Sequence, residues 1–463
     1  MMSAPVPAIA TLADAVTLLQ GELCGASQTT PAEKISFAGV STDTREVMPG
    51  QLFVALSGPH FDGHDFVAEA KQKGAVAAVV THVLATDLPQ ILVGDTQLAY
   101  AQLAANWRQQ FAIPVIAITG SNGKTTVKEM LASILSRRGA VLATQANFNN
   151  EIGVPRTLLK INADHVAAVI EEGASHPGDI AYLTEFVRPT VALVTNAASA
   201  HLQGFATLEV VAKTKGEIFQ HMPADGVAII NADDEFSALW IEQAGDRSVM
   251  RFALNREAEV RGRMAADGRV QMQTPAGDVE ICLPLEGRHN ALNALAATAA
   301  ALAAGASLAE IKQGLESMRP VPGRLQRKPG IRGSQIIDDT YNANPASLKA
   351  ALDVLAQCAG DRYLALGDMA ELGARSVEYH QQAGLQAREV GVSRLYAVGE
   401  CSRHAVTAFG EDAQHFAAQD ALISQLRDDL HEDVTLLIKG SRSAHMENVV
   451  AALTATDYAE GMG

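Results

Sequence analysis

Val115-Ile116-Ala117-Ile118-Thr119 is an apolar, partly β-branched run that stops at Gly120-Ser121-Asn122-Gly123-Lys124-Thr125-Thr126. Two glycines in so short a turn let backbone N–H groups close around an anion. The helix expected over Lys124 to Arg138 adds the positive end of its dipole. A lysine here reaches the terminal phosphates of a nucleoside triphosphate, and the threonine after it can sit on Mg²⁺. The stretch reads as a phosphate cradle, with Gly120, Ser121, Asn122, Gly123, Lys124, Thr125 and Thr126 as nucleotide-binding residues. It departs from the common G-x-x-x-x-G-K-[ST] spacing, because Ile118 stands where that pattern needs its first glycine.

Other polar groups fall at the ends of apolar runs. Val166 to Ile170 leads into Glu171-Glu172-Gly173. An acidic residue at the C-terminal end of a parallel strand lies where open α/β sheets bind ligands, and it can hold Mg²⁺ directly or through water. The spacing fits either glutamate. Thr195-Asn196 ends the next run and His201 follows, a candidate metal or phosphate ligand unless it is merely structural. Lys213 and Lys215 lie on an expected helix, Leu208 to Phe219, where periodicity alone assigns lysines to a solvated face. Asn290 and Asn293 share a face at the start of a long Ala/Leu-rich helix, as caps or as ligand contacts. Later in the chain, Asp338-Asp339-Thr340-Tyr341-Asn342-Ala343-Asn344-Pro345, Leu366 to Gly373 and Ile438-Lys439-Gly440-Ser441-Arg442 all follow apolar runs. Three polar strand ends gathered on one sheet edge make a binding surface.

The elements that must position these groups are short, continuous apolar strands alternating with helices. The chain of 463 residues is long enough for about three domains. The fold class is α/β. A small α/β domain is expected over residues 1–110, a central, mainly parallel phosphate-loop sheet over 111–320, and a doubly wound, Rossmann-like domain over 321–463. Residues 250–282 alternate, and are expected to form antiparallel strands. Pro320-Val321-Pro322-Gly323 is expected to be a hinge. The formal charge of −16 argues against a general nucleic-acid or membrane-surface binder. Cys24, Cys282, Cys358 and Cys401 form no C-x-x-C pair, as expected of reduced thiols in a cytoplasmic protein. The N-terminus lacks a basic, apolar leader pattern, and no uncharged apolar run reaches the roughly 18 residues of a membrane span.

Over nearly its whole length the chain resembles the Mur ligases of bacterial cell-wall synthesis. Thr119 to Thr126 has that family's loop form, which accounts for the short glycine spacing. Asp339 to Pro345, Gly367 to Gly373 and Phe148-Asn149-Asn150-Glu151-Ile152-Gly153-Val154-Pro155 resemble the branch that adds D-alanyl-D-alanine to UDP-N-acetylmuramoyl-tripeptide. The resemblance implies an ATP-dependent amide ligase with two Mg²⁺ ions, an acyl-phosphate intermediate, and a monomer as the working unit. It implies Lys124 on the γ-phosphate, Thr125, Glu171 and His201 on metal, and Lys215 as a carbamate on the second ion. Asn290, Asn293, Arg324 and Asp339 would contact ATP, and Ser41, Thr42, Thr44 and Arg45 the uridine nucleotide. Asn149, Asn150, Tyr341, Asn342, Asn344, Lys439 and Arg442 would place the substrates, and His380 is a candidate for the amine's proton. Two residues depart from the family pattern: Glu172 stands where an apolar residue is usual, and Ser175 where Asn is common. The alternatives are a related ligase that adds a single amino acid, including a folylpolyglutamate-synthetase-like enzyme, and a nucleotide-dependent switch.

Overall fold

The computed structural model describes residues 9–25, 31–198, 205, 207–265 and 267–455. Three sheets dominate. The central one has nine strands, in the order Ala140–Ala143, His165–Glu171, Val115–Thr119, Val191–Val194, Val227–Asn231, Ser248–Ala253, Val260–Met264, Val270–Thr274 and Gly277–Ile281. The first seven run parallel and the last two antiparallel. The antiparallel expectation for 250–282 therefore holds only beyond Val260. Ser248–Ala253 continues the parallel run beside Val227–Asn231.

Parallel sheets are covered on both faces, which is why their strands read as unbroken apolar runs. Every residue of Val115–Thr119 is buried. The strand's pleat sends Ile116 and Ile118 to one core, and Val115 and Ala117 to the other. On the first face lie helix Lys124–Leu135, which buries Val127, Met130, Leu131 and Ile134, and the alanine-rich helix Arg288–Ala303. On the second lie helices Asp179–Val187 and Leu208–Gly216. Trp240, fully buried there, donates its indole N–H to Ala212 O at 2.9 Å and so ties down the helix that carries Lys215.

The smaller sheets flank this one. The first has the order Glu22–Cys24, Gln90–Leu92, Ala77–Val80, Leu52–Val54 and Val40–Ser41. Helix Thr96–Arg108 joins it to the central unit: Trp107 Nε1 donates to Ile161 O at 2.9 Å, and Arg108 Nε to Val187 O at 2.9 Å. The third has the order Gln326–Pro329, Gln335–Asp339, Val434–Lys439, Asp361–Gly367, Arg394–Val398 and Ala413–Phe416, parallel after its first pair. Among the described residues, no helix is long and apolar enough to cross a membrane.

Trp240→Phe keeps an aromatic ring in the core but removes the pyrrole half of the indole and with it the hydrogen bond to Ala212. Its expected cost is about 1–2 kcal/mol, seen as a lower urea midpoint. An unchanged midpoint would show that this bond does not hold the Lys215 helix.

Candidate active site

The phosphate loop sits at a switch point of the central sheet. Val115–Thr119 pairs with His165–Glu171 on one side and Val191–Val194 on the other, with Ile118 opposite Glu171 and Thr119 opposite Val194. Ligands of open α/β sheets bind in the crevice such a reversal leaves. Both loop glycines are needed, each for its own reason. A Cβ on Gly120 would lie 1.9 Å from Thr195 Oγ1, and one on Gly123 2.5 Å from Asn293 Oδ1. Gly123 also has φ +85°, in the left-handed region. Asn196 grips the loop: its carbonyl accepts from Ser121 N, and its amide exchanges two 3.0 Å bonds with the Asn122 backbone. Helix Lys124–Leu135 then starts with no side-chain cap, leaving its first N–H groups and its dipole to face an anion.

The pleat decides between the two glutamates. Glu171 turns toward the loop: Thr125 Oγ1 donates to its Oε2 at 3.0 Å, and Asn149 Nδ2 to its Oε1 at 2.9 Å. Glu172 turns into the opposite core, where Oε2 accepts from Thr184 Oγ1 at 2.8 Å and Oε1 has no partner. Burial pushes its carboxyl up to about 8, against the pull of the Thr184 hydroxyl. Beside Glu171, half-buried Lys124 donates to Gly120 O at 2.6 Å. Lys215 is buried with its ammonium 5.7 Å from the Phe205 ring centre. Burial, and then the Lys124 charge, lower Lys215 to about 7. Periodicity had left this lysine on a solvated face; it lines a cavity of about 690 Å³ with Lys124, Asn149, Asn150, Asp179 and Tyr182. His201 lies outside the described residues. Among those described, no three His, Cys, Asp or Glu side chains converge. One carboxylate and one hydroxyl still suit Mg²⁺, which takes oxygen donors and completes its shell with phosphates and water.

A second cavity, of about 320 Å³, opens on the other side of the loop and is lined by Asn122, Gly123, Asn290, Asn293, Arg324 and Asp339. Asn290 Nδ2 donates to Glu286 O at 2.7 Å, and Asn293 Nδ2 to Asn290 Oδ1 at 3.3 Å. Half-buried His289 also lines this cavity; sequence reasoning passed over it, although it stands beside Asn290. Arg324 stacks on Tyr341, 4.1 Å from guanidinium carbon to ring centre, and Nη2 reaches Thr125 Oγ1 at 3.4 Å. Asp339 and Lys439 occupy paired positions on adjacent strands and form a buried ion pair. Lys439 also donates to Asn342 O at 2.9 Å. Asn344 reaches the phosphate loop itself, Nδ2 to Asn122 Oδ1 at 2.8 Å.

Two residues stand elsewhere. Arg442 is exposed and pairs with Glu447 at 3.1 Å. His380 is buried inside the third sheet's own packing, where Nε2 accepts from Met369 N at 3.0 Å and Nδ1 binds Ser376 O at 2.7 Å. With both ring nitrogens engaged, it ties the Gly367–Gly373 loop to helix Ser376–Glu389.

A third cavity, of about 560 Å³, is lined by Thr42, Thr44, Arg45, Phe61, Phe66 and Arg156. Ser41 lies buried behind it, its hydroxyl bonded to the Asp43 backbone. Asp43 holds Arg45 through both carboxylate oxygens, and hydrogen bonding to Arg45 lowers its own carboxyl to about 2. Arg156 comes from the central unit and meets Glu46 of the first at 2.6 Å. Sequence reasoning missed Arg156 and the exposed rings of Phe61 and Phe66, whose only signal was large apolar groups in a polar stretch.

A phosphate loop at the switch point of a parallel sheet, flanked by two further α/β units that each face it, defines a multidomain nucleotide-using α/β protein. Residues 36–108 match the Mur ligase family catalytic domain, 118–301 the Mur ligase middle domain and 323–442 the Mur ligase glutamate ligase domain. The UDP-N-acetylmuramoyl-tripeptide–D-alanyl-D-alanine ligase of Escherichia coli (strain K12) is 47% identical over 450 residues, covering 96% of this chain and 98% of that one. The Bacillus subtilis (strain 168) protein of the same name is 32% identical, over 91% and 94% of the two chains. MurF from Acinetobacter baumannii superposes with a TM-score of 0.90 at 36% identity, covering 97% and 99%. MurF ligase from Thermotoga maritima, solved in complex with ADP, gives 0.79 at 27% identity, covering 89% and 96%. The chain belongs to the Mur ligase family.

Thr184→Val removes the one hydrogen bond of the Glu172 carboxyl and is expected to destabilise by about 1–3 kcal/mol. The double variant Glu172→Met/Thr184→Val replaces the polar pair with apolar volume, and should recover most of that loss in thermal unfolding. A double variant no more stable than Thr184→Val alone would mean that the carboxyl has a use beyond this pair.

Proposed function

We propose that this chain joins D-alanyl-D-alanine to UDP-N-acetylmuramoyl-tripeptide at the expense of ATP, giving the UDP-linked pentapeptide, ADP and phosphate. The observation that carries the reading is the position of the phosphate loop between two cavities. One is lined by Asn290, Asn293, Arg324 and Asp339, and the other by Lys124, Asn149, Asn150 and Lys215. A triphosphate in the first would direct its γ-phosphate across Lys124 toward a carboxylate in the second. The names of the full-length relatives support the substrates. Arg45 and Arg156 in the third cavity suit a diphosphate, and Phe61 and Phe66 a base.

The chemistry follows from charge. A carboxylate is a poor electrophile, so its oxygen first attacks the γ-phosphorus, releasing ADP and forming an acyl phosphate. The dipeptide amine then adds to the acyl carbon, loses a proton, and the tetrahedral intermediate expels phosphate as the amide forms. Lys124 and the uncapped start of helix Lys124–Leu135 offset the repulsion between the two anions. Thr125, Glu171 and His201 would hold one Mg²⁺, and Lys215, as a carbamate, a second. Bound Mg²⁺ supplies further neutralisation of phosphate charge. Lys215 suits carbamylation because a buried amine lowered to about 7 is largely neutral at physiological pH and can attack CO₂, losing a proton. Arg324, Asp339, Lys439 and the segment Tyr341–Asn344 close the ATP side. The working division is 1–110, 111–320 and 321–463. The proposed working unit is a monomer, and ATP and a UDP-linked precursor are solutes of the cytoplasm.

Lys124→Ala should abolish ADP formation that depends on both substrates, a fall of at least about 10³-fold, with the thermal midpoint retained. Mass spectrometry of the product made from ATP, the UDP-linked tripeptide and D-alanyl-D-alanine checks the reaction itself. A product carrying a single added amino acid would overturn the assignment. Lys215→Ala should lose activity and regain part of it with added short-chain carboxylates; absence of rescue would remove the carbamate from the scheme.

A further inference from the structure

The Asn344 side chain is engaged at both ends. Its Oδ1 accepts from Ser347 N at 2.9 Å and caps helix Pro345–Leu355. Its Nδ2 donates to Asn122 Oδ1 at 2.8 Å. Asn122 is held from the other direction by Asn196, which bonds both its backbone N–H and its carbonyl, while Thr195 Oγ1 donates to that carbonyl at 2.7 Å. A relay of three amides thus runs from the end of strand Val191–Val194, through the phosphate loop, to the first turn of a helix on the third sheet. Asn344 is only 7% exposed.

We propose that Asn344 is a positioning residue for the nucleotide, acting through Asn122: the pair latches the phosphate loop to the third sheet. The proposal rests on the loop being the ATP site. Two features make the contact a latch. The helix cap fixes the Asn344 amide in orientation, so Nδ2 is aimed before it meets its partner. The Asn196 grip fixes the Asn122 backbone, so its side chain is presented in the same way. A hydrogen bond between two pre-aimed groups loses little entropy on forming, whereas parting the sheets leaves both amides seeking water. Movement of Asn122 passes directly to Gly123, where Asn293 leaves no room for a side chain, and to Lys124 beyond it. Seating of the third sheet therefore sets the loop that holds the phosphates. This replaces the expected contact of Asn344 with the dipeptide.

The test separates capping from latching. Asn344→Ser retains a helix-capping oxygen but cannot reach Asn122; Asn122→Ala removes the partner. In Asn344→Ser, hydrogen exchange across residues 119–126 with bound ADP should quicken while helix Pro345–Leu355 keeps its protection. The KM for ATP should rise about 2- to 10-fold, the scale of one neutral hydrogen bond, with the KM for D-alanyl-D-alanine unmoved. Asn344→Ser should add nothing in an Asn122→Ala background. Unchanged loop exchange, additive effects of the two substitutions, or a shift in the dipeptide KM instead of the ATP KM would each overturn the latch. Nucleotide binding and loop exchange need no amide product, so a failure of the ligase assignment would show separately, as ATP and ADP binding without ligation.

Discussion

The chemistry of the cleft hangs on the register of one strand. Val115–Thr119 lies parallel to both neighbours, with Ile118 against Glu171 and Thr119 against Val194. That alignment brings three strand ends to one level. The middle strand supplies the phosphate loop, one neighbour the carboxylate that meets Thr125, and the other the Asn196 amide that grips the loop backbone. A slip of one residue would send Glu171 into the core and bring Glu172 out. The pleat of a single strand thereby separates two adjacent glutamates into one that faces the cleft and one held neutral by burial.

Much of this was legible in the sequence because parallel strands are buried on both faces and show as plain apolar runs. The phosphate loop, its strand and its helix fall where the residues indicated. Two kinds of information were hidden. Burial by remote elements was one: Lys215 looked like a solvated helix lysine, and only the packing of its helix under Trp240 turns it inward. Partner choice across long separations was the other. Nothing local tells Asn344 that it will face a loop 222 residues earlier. The parallel placement of Ser248–Ala253 was missed because a partly exposed strand alternates in pattern whichever way its neighbour runs.

The two sides of the phosphate loop are built differently. The side facing the first unit is roomy and carries both signs, with Lys124 and Lys215 among Glu151 and Asp179. The side facing the third unit is narrower and amide-rich, with Asn122, Asn290 and Asn293 beside Arg324 and the Asp339–Lys439 pair.

The junction at Trp107 and Arg108 has a metrical consequence. Their side chains are fastened to backbone carbonyls of the central unit, and Arg156 meets Glu46 across the same seam. The first sheet is thereby tied to the unit that carries Lys124, and the aromatic cavity, which Arg156 also lines, shares one frame with the phosphate loop. On the proposed reading, a UDP-linked acceptor seated in that cavity would have to span the way to the phosphate loop, so its length would count as well as its chemistry.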